Sequence, residues 1–244
     1  MENKGGEQKP RFKQRERINP LELWEPKTQL GTLVKSNKIS LEDIFQYNLT
    51  VKEPEIMDYF LKDQLKEEVL CVKSVQKQTK AGQRTRIKAL VCVGDGKNFV
   101  GIGAKTSRDA ATAIRGAIQR AKCALIYVKQ GWWSSKVGST HTVPVISNGK
   151  SGSVRIRLIP APKGTGLIAG KVAKTILRMA GVKDIYSNSS GRTCNTENFA
   201  KATIDAIVRS SNFYSPDLWD VQVSGINPLL KKFDKTSEGF RPTQ

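Results

Sequence analysis

The chain has 244 residues, enough for two domains of ordinary size, and carries 41 Lys and Arg against 22 Asp and Glu, a net charge of +19. A basic excess of this size indicates a polyanionic partner, either nucleic acid or an acidic membrane surface. We expect no membrane contact, because no apolar run approaches the ~20 residues of a spanning helix and the N-terminus lacks the pattern of a signal peptide.

The positive charge is concentrated in the middle of the chain. Residues 69–140 contain 14 Lys and Arg against two Asp, and residues 141–178 contain seven against no acid. Residues 21–68, by contrast, have six basic and ten acidic residues. Such a block is typical of a binding face and not of a uniformly solubilised surface.

Residues 1–23 are predicted to form a disordered basic arm, because they are polar and almost without apolar anchors. Residues 24–64 are predicted to be a helical extension. Ser40 caps the segment SLEDIF, and the segment EPEIMDYFLKDQL spaces Ile56 and Phe60 four residues apart. We expect two short amphipathic helices whose excess acid favours packing on the next domain or on a protein neighbour over contact with RNA.

Residues 65–130 form the first predicted domain, which opens with strands at 69–78, 84–93 and 99–105. Asp95-Gly96 between the last two supplies the positive φ that a tight turn needs. In the second strand, Arg84, Arg86 and Lys88 alternate with apolar residues, as in a half-buried strand. One face is expected in the core, and the other is strongly positive.

The glycine-rich stretch GDGKNFVGIGAKTSRDA at 94–110 is compared with a phosphate loop. With Lys105 as the lysine, the two positions that should be glycine are Phe99 and Ala104, and the dinucleotide fingerprint fails as well. We therefore expect a hairpin followed by a helix, with no nucleotide cofactor.

The helix is predicted over 107–125, with Ser107 as its N-cap and Asp109 near its positive end. Its apolar stripe consists of Ala110, Ile114, Ala117, Ile118, Ala121 and Leu125. The opposite face carries Arg108, Arg115, Gln119 and Lys122. This face is either a solvated surface or, beside the positive strand face, part of a nucleic-acid surface.

Residues 131–140 are predicted to be a linker, in which Trp132 and Trp133 either stack on bases or pack between domains. Residues 141–215 form the second domain. Asn148-Gly149 is expected to be a hairpin turn, followed by a strand whose Arg155 and Arg157 face away from the core. Two helices are predicted later in this domain. The first has an apolar stripe that ends at Gly181 and consists of Ile168, Val172, Ile176 and Met179. The second has Asn195 as its N-cap. Residues 216–244 are a tail without a clear pattern.

Metal binding is not expected. The only histidine is His141, which we interpret as structural, and the four cysteines lie at least 21 residues apart, whereas zinc motifs need close pairs. Reduced, buried thiols are expected at Cys71, Cys92, Cys123 and Cys194.

Several segments together resemble the universal small-subunit ribosomal protein five family, in its eukaryotic branch. They are VQKQTKAGQRTRIKALVCVGDGKNFVGIGAKTSRDAATAIRGAIQRAK, HTVP, GSVRIRLIPAPKGTG, AGVKDIYSNSSGRT, NFAKATIDAI and the extension PKTQLGTLVK. The resemblance covers about residues 24–220. It implies an α+β fold: an N-terminal α-β-β-β-α domain similar to double-stranded-RNA-binding folds, then a β/α domain with a left-handed βαβ crossover.

The resemblance also implies a function and partners. The protein is expected to be a non-enzymatic structural constituent of the cytosolic small ribosomal subunit, assembled in the nucleolus and supporting translation and decoding accuracy. Its expected partners are small-subunit ribosomal RNA, messenger RNA at the entrance channel, and small-subunit ribosomal proteins of the three and four families.

The residues expected to bind RNA are the basic and amide side chains of the positive segments. They are Lys77, Lys80, Gln83, Arg84, Arg86, Lys88, Lys105, Arg108, Arg115, Lys122, Arg155, Arg157 and Lys163. Three glycines are expected to let the backbone approach RNA: Gly82, Gly101 and Gly103. For Gly101 and Gly103, strand curvature is an alternative reason.

Two other functions are weighed against this one. A free RNA chaperone or ribosome-assembly factor would share the same basic surfaces. A small-molecule kinase is suggested by PAPKGTGLIAG, but Ile168-Ala169-Gly170 stands where the phosphate-binding hydroxyls would be, and no carboxylate cluster for magnesium is evident.

Overall fold

The computed structural model describes residues 24–61, 64–134 and 138–212. The predicted basic arm and the predicted C-terminal tail lie outside the described residues. Within the described ranges, no helix is long and apolar enough to cross a membrane.

The extension consists of three short helices, α1 (Gln29–Lys35), α2 (Leu41–Gln46) and α3 (Pro54–Leu61). The two predicted helices, α2 and α3, are confirmed, and Ser40 caps α2 in a reciprocal capping box with Asp43. The sequence analysis missed helix α1, because its N-cap residue, Thr28, is held in place by a residue distant in the chain, Glu53. The Glu53 carboxylate accepts hydrogen bonds from the backbone N–H of Thr28 at 2.6 Å and from the Trp24 indole at 3.0 Å.

The extension packs on the next domain, as its acidic composition favoured. Its apolar residues form one cluster with Leu125 and Phe99 of that domain, and Phe45 lies against Phe99 with ring centroids 4.9 Å apart. The helices therefore have a core that none of them could form alone.

The first sheet is antiparallel, in the order β1 (Lys66–Thr79), β2 (Gly82–Gly94), β3 (Phe99–Ser107) and β4 (Leu125–Tyr127). The three predicted strands are confirmed, with longer bounds. The predicted turn at Asp95-Gly96 is confirmed too, since Gly96 has φ of 70° and Asp95 Oδ1 accepts from the N–H groups of residues 97, 98 and 99 at 2.8–3.0 Å. Leu125, predicted at the helix end, belongs instead to β4.

Helix α4 (Ala110–Cys123) begins later than predicted, because its N-cap is Asp109 and not Ser107. Asp109 Oδ2 accepts a hydrogen bond from the backbone N–H of Thr112, whereas Ser107 is the last residue of β3. An Asp at this position accepts a hydrogen bond from a backbone N–H that would otherwise be free, and its negative charge interacts favourably with the positive end of the helix dipole. The buried face of α4 is narrow and small: Ala113, Ala117 and Ala121.

Gly101 and Gly103 serve the contact between β3 and α4. A Cβ atom on Gly103 would lie 2.1 Å from the carbonyl oxygen of Ala117, and one on Gly101 would lie 2.5 Å from that of Ala121. The prediction that these glycines let an RNA backbone approach is therefore wrong. They let the α4 backbone approach the sheet, and the alanines of α4 make the same close packing possible from the other side.

Replacing Gly103 by Ala should lower the free energy of unfolding by about 2 kcal/mol or more, because helix and sheet must separate to admit the methyl group. The matched control is Gly116→Ala on α4, where the new Cβ meets only the flexible Lys105 side chain at 3.0 Å. This control should be neutral or stabilising by up to about 1 kcal/mol. Urea unfolding of both variants tests the contact, and equal effects would contradict it.

The second domain is a four-stranded sheet covered on one face by two helices. Its elements are β5 (Ser147–Ser151), β6 (Val154–Pro160), β7 (Leu167–Ile168), α5 (Lys171–Met179), β8 (Ile185–Ser190) and α6 (Thr196–Ser211), with strand order β5-β6-β8-β7. Strands β7 and β8 are parallel and joined through α5. The α+β class is confirmed, with an α-β-β-β-α order from α3 to α4 followed by a β/α domain. The handedness of the crossover stays a prediction.

Two details of the second domain differ from the sequence analysis. Asn148 and Gly149 lie inside β5, and the turn is formed by Gly152, with φ of 60°. Gly149 is needed for packing instead, since a Cβ there would lie 2.0 Å from the carbonyl oxygen of Ala202 on α6. Ile168 is half-exposed in β7 and does not join the apolar stripe of α5. The caps at Gly181 and Asn195 are confirmed.

The second domain covers the face of the first sheet that α4 leaves open. Leu90 and Cys92 of β2 share a buried cluster with Ile176 and Met179 of α5. Polar contacts also join the two domains. Gly96 donates its N–H to the carbonyl of Met179 at 2.9 Å, and the Thr175 hydroxyl lies 3.3 Å from Glu68 Oε1. From Ala89 onward β2 is therefore buried on both faces, and only its first half is exposed as predicted.

Candidate RNA-binding surfaces

The β1–β2 hairpin extends beyond the rest of the first sheet. Strand β3 pairs with β2 only as far as Ile87, whereas β1 and β2 stay paired to Thr79 and Gly82. We call residues 73–88 the ribbon. At its tip Gly82 has φ of 114°, a conformation that favours glycine, and the Thr79 hydroxyl donates to the carbonyl of Gly82 at 2.7 Å.

One side of the ribbon, the cationic face, carries Lys73, Lys77, Arg84, Arg86 and Lys88 around Val75. Their cross-strand partners fix this arrangement: Lys73 with Lys88, Val75 with Arg86, and Lys77 with Arg84. Paired residues of antiparallel strands point to the same side, so two of these pairs place like charges opposite each other, which destabilises an isolated hairpin. Among the residues that the structure describes, no carboxylate forms an ion pair with Lys73, Lys77, Lys80, Arg84 or Arg86.

The other side, the neutral face, carries Ser74, Gln76, Gln78, Gln83 and Thr85. The register pairs Gln76 with Thr85 and Gln78 with Gln83. Of the six predicted RNA-binding residues of the ribbon, Gln83 thus lies on the neutral face and Lys80 in the turn, while the other four lie on the cationic face. Lys73, which was not among the predicted residues, lies at the same alternate spacing in β1 as Lys77 and shares the cationic face.

Lys88, at the base of the cationic face, contacts the second domain. Its Nζ lies 2.5 Å from Glu197 Oε2 of α6, and Lys201 binds the other oxygen of Glu197 at 2.8 Å. Burial alone would raise the pKa of Glu197, but the hydrogen bonds and charges of Lys201 and Lys88 outweigh it and lower this pKa. Lys88 therefore already has a protein partner, whereas the other cations of this face have no carboxylate partner within residues 24–61, 64–134 and 138–212.

A double-mutant cycle of Lys88→Gln and Glu197→Gln should give a coupling of about 0.5–1 kcal/mol at neutral pH, since the pair is only partly buried. The folded pKa of Glu197 is lowered, so this stabilisation is present above the ordinary pKa of glutamate and is lost as the pH falls through the folded pKa. Thermal unfolding of the four proteins at neutral and acidic pH measures it. A coupling that persists in acid would exclude the ion pair as its source.

Lys122 was predicted to bind RNA, but the structure places it in the interior of an ion-pair network. Its Nζ lies 2.9 Å from Asp58 of α3 and 3.2 Å from Glu67 of β1, and its side chain is only 16% exposed. Burial alone would lower the pKa of Lys122, but the hydrogen bonds and charges of Asp58 and Glu67 outweigh burial and raise it. Lys122 thus fastens the extension to α4 and β1 and is not presented to a ligand.

The remaining predicted residues of the first domain lie on the α4 side. Arg108 and Arg115 are exposed, and the exposed Lys105 crosses over Gly116 of α4. Arg120 was missed: its Nη1 donates to the carbonyl of Ala104 at 3.3 Å, on a part of β3 that β4 does not reach. These cations and those of the ribbon meet only at the base of the ribbon, where Lys88 lines one pocket together with Lys105 and Arg120.

A third basic surface is the open face of the second sheet. Arg155 and Arg157 of β6 point away from the helices, as predicted, and lie in rows with Lys150 and Ser190 and with Asn148 and Asn188. Together with Arg209 they line a shallow groove of about 450 Å³. The sequence analysis missed the alternation of β5 that exposes Lys150, because it interpreted Asn148-Gly149 as a turn. Lys163 is exposed in the loop after β6, with its Nζ against Gly138.

The linker tryptophans have different environments. The Trp132 indole donates to the carbonyl of Gly138 at 2.8 Å, whereas Trp133 is 56% exposed. Trp132 is thus held within the linker, whereas the Trp133 ring is open to solvent.

The structure describes the single histidine and all four cysteines. His141 is buried, its backbone carbonyl accepts from the N–H groups of residues 183 and 184, and the described ranges contain no cluster of His, Cys, Asp and Glu that could hold a metal. All four cysteines are described and have free thiols. Burial, followed by the charge of Glu68, raises the pKa of Cys92 to about 12, while Cys194 is exposed, contrary to the prediction.

Comparison with known proteins identifies the family. Residues 65–129 match the family profile described as ribosomal protein S5, N-terminal domain, and residues 149–221 match that of the C-terminal domain. The chain is also 47% identical, over 217 residues, to the small ribosomal subunit protein uS5 of Candida albicans, an alignment that covers 88% of this chain and 87% of the relative. The two matched regions contain the ribbon and all of the groove of the second sheet except Asn148. The chain therefore belongs to the ribosomal protein S5 family, and it is a structural, non-enzymatic component of the small ribosomal subunit.

Proposed function

We propose that the chain binds small-subunit ribosomal RNA chiefly through the cationic face of the ribbon. The observation that carries this proposal is the placement of Lys73, Lys77, Arg84 and Arg86 on one side of a two-stranded element, with Lys77 directly opposite Arg84. None of the four has a carboxylate partner among the residues that the structure describes. Between Glu68 and Asp95 the sequence contains no acid at all. Phosphate groups supply the missing negative charge.

A solvated face is the simplest alternative, and the acids of the protein argue against it. Asp58, Glu67 and Glu197 pair with Lys122 and Lys88 at the borders of the first domain, so acids are used where elements must be fastened. A face that only needed solubility would mix both charges. The ribbon instead has one charge, and it lies beyond the covered part of the sheet, where RNA can reach it from several directions.

The other two basic surfaces are proposed as secondary contacts. Lys105, Arg108 and Arg115 on the α4 side and Arg155 and Arg157 on the second sheet are exposed and face different directions. A protein embedded among several RNA segments would use such separate surfaces, and each would add its own phosphate contacts.

The finer features of the function come from the resemblance. We propose that the protein borders the entrance channel for messenger RNA, next to ribosomal proteins of the three and four families, and thereby supports decoding accuracy. We further propose that it is assembled into subunits in the nucleolus and works in the cytosol.

Replacing Lys77, Arg84 and Arg86 together by Gln should make the dependence of log affinity on log salt shallower by about two units, since each lost phosphate contact contributes about 0.7–0.9. The melting temperature should stay within a few degrees, because all three side chains are exposed. Binding of full-length protein to small-subunit ribosomal RNA transcribed in vitro, measured over a range of salt concentrations, gives the slope.

The matched control removes the same charge elsewhere, from the exposed Lys171, Lys174 and Arg178 of α5. This control should leave the slope nearly unchanged. An equal change in slope for the two triple variants would show that net charge, and not the ribbon, determines RNA affinity.

Sedimentation distinguishes a subunit constituent that works in place from a free chaperone or assembly factor. We expect nearly all of the protein in a cell extract to sediment with small subunits and complete ribosomes. A large pool at the top of the gradient in growing cells would favour an additional free role.

A further inference from the structure

We propose that the ribbon contacts RNA on both sides at once: the cationic face binds phosphates of one RNA segment, and the neutral face binds 2′-hydroxyl groups and base edges of another. This inference rests on the proposed function of the cationic face. It adds a second site of different chemistry, formed by Gln76, Gln78, Gln83 and Thr85, which would supply specificity where the cations supply affinity.

The ribbon is uncovered on both sides. Residues 72–81 and 83–86 are all exposed, and neither α4 nor the second domain extends over them. The ribbon is a single layer of two strands, and layers of this kind pack about 10 Å from their neighbours, so RNA segments on its two faces would be separated by this one layer. A partner on one face leaves the other face accessible.

The neutral face has hydrogen-bonding capacity that the protein uses little. Its internal contacts are long: 3.4 Å from Gln76 Nε2 to the Thr85 hydroxyl, and 3.5 Å from Gln78 Nε2 to the carbonyl of Thr79. Gln83 has no side-chain hydrogen bond to any residue in the described ranges. A glutamine amide offers two donors and an acceptor at a fixed geometry, which suits base edges and ribose hydroxyls.

Charge explains why the two faces need different RNA atoms. A phosphate-binding face of Lys and Arg cannot distinguish one RNA sequence from another, because every nucleotide carries the same phosphate. The neutral face has no Lys, Arg, Asp or Glu among residues 74, 76, 78, 83 and 85, so long-range attraction does not dominate there. Contacts on this side depend on which donors and acceptors lie opposite.

A protein neighbour is the other occupant to consider for the neutral face. The centres of protein interfaces are rich in aromatic residues and Met, and this face has none. Its only large apolar residue is Ile87 at the base, which is half-buried. The exposed Val72 just below the ribbon is the one feature that a protein would use, and the experiment separates the two occupants.

The test compares two triple variants of the full chain. Gln76→Met, Gln78→Met and Gln83→Met keep side-chain length and remove the amides, while Lys77→Gln, Arg84→Gln and Arg86→Gln remove cations from the opposite side. Each is titrated with small-subunit ribosomal RNA transcribed in vitro, and with single-stranded DNA of equal length as a probe that has phosphates but no 2′-hydroxyls. Melting temperatures control for folding.

We expect the amide variant to keep the salt slope and DNA affinity of the wild type while its affinity for the ribosomal RNA falls by roughly tenfold or more, since each good contact to a base contributes about that factor. The charge variant should lose affinity for both nucleic acids and have a shallower slope.

Each other outcome overturns a distinct statement. Wild-type RNA affinity of the amide variant overturns the neutral-face proposal and leaves the proposed function intact if the charge variant still changes the slope. An unchanged slope in the charge variant overturns the proposed function itself. If the amide variant binds RNA normally but enters subunits poorly in cells, the neutral face is occupied by a protein and the proposal is wrong.

Discussion

The fold depends on the close approach of the first sheet to the two layers that enclose it. Gly101 and Gly103 let α4 lie directly on β3, and the small residues Ala113, Ala117 and Ala121 make the same approach possible from the helix. On the opposite side, Leu90 and Cys92 enter the core of the second domain. Both layers end near Ala89. The same 13-residue strand β2 is therefore fully buried in its second half and exposed on both faces in its first half, and this boundary determines which residues are available for binding.

Acids and cations have different positions relative to that boundary. Glu68 faces Thr175, Glu67 and Asp58 hold Lys122, and Glu197 holds Lys88, so each of these carboxylates joins two elements of the covered region. Partly buried pairs of this kind fix relative positions even where their net stabilisation is small. In the ribbon, beyond Ala89, the chain has Lys and Arg residues but no Asp or Glu.

The sequence predicted those features that depend on local chemistry. Alternation identified β2 and β6, and local capping signals identified Ser40, Asn195 and Gly181. The sequence analysis failed where the role of a residue depends on a contact with residues distant in the chain. Gly149 was interpreted as a turn because the pair Asn-Gly favours turns locally, while its actual constraint is a helix more than fifty residues later. Lys122 and Lys88 fit the basic pattern as well as their neighbours do, and only the folded chain shows the carboxylates beside them.

A two-stranded ribbon without a core is marginally stable by itself, and opposed like charges make it less so. Here the paired strands continue directly into a sheet that is covered on both faces, so the base of the ribbon is held in register by the enclosed half of β2. In the proposed function, phosphate binding relieves the repulsion between Lys77 and Arg84, which are paired across the two strands. The proposal therefore couples RNA binding to ordering of the ribbon, with the covered half of the sheet as the position from which the charged half extends.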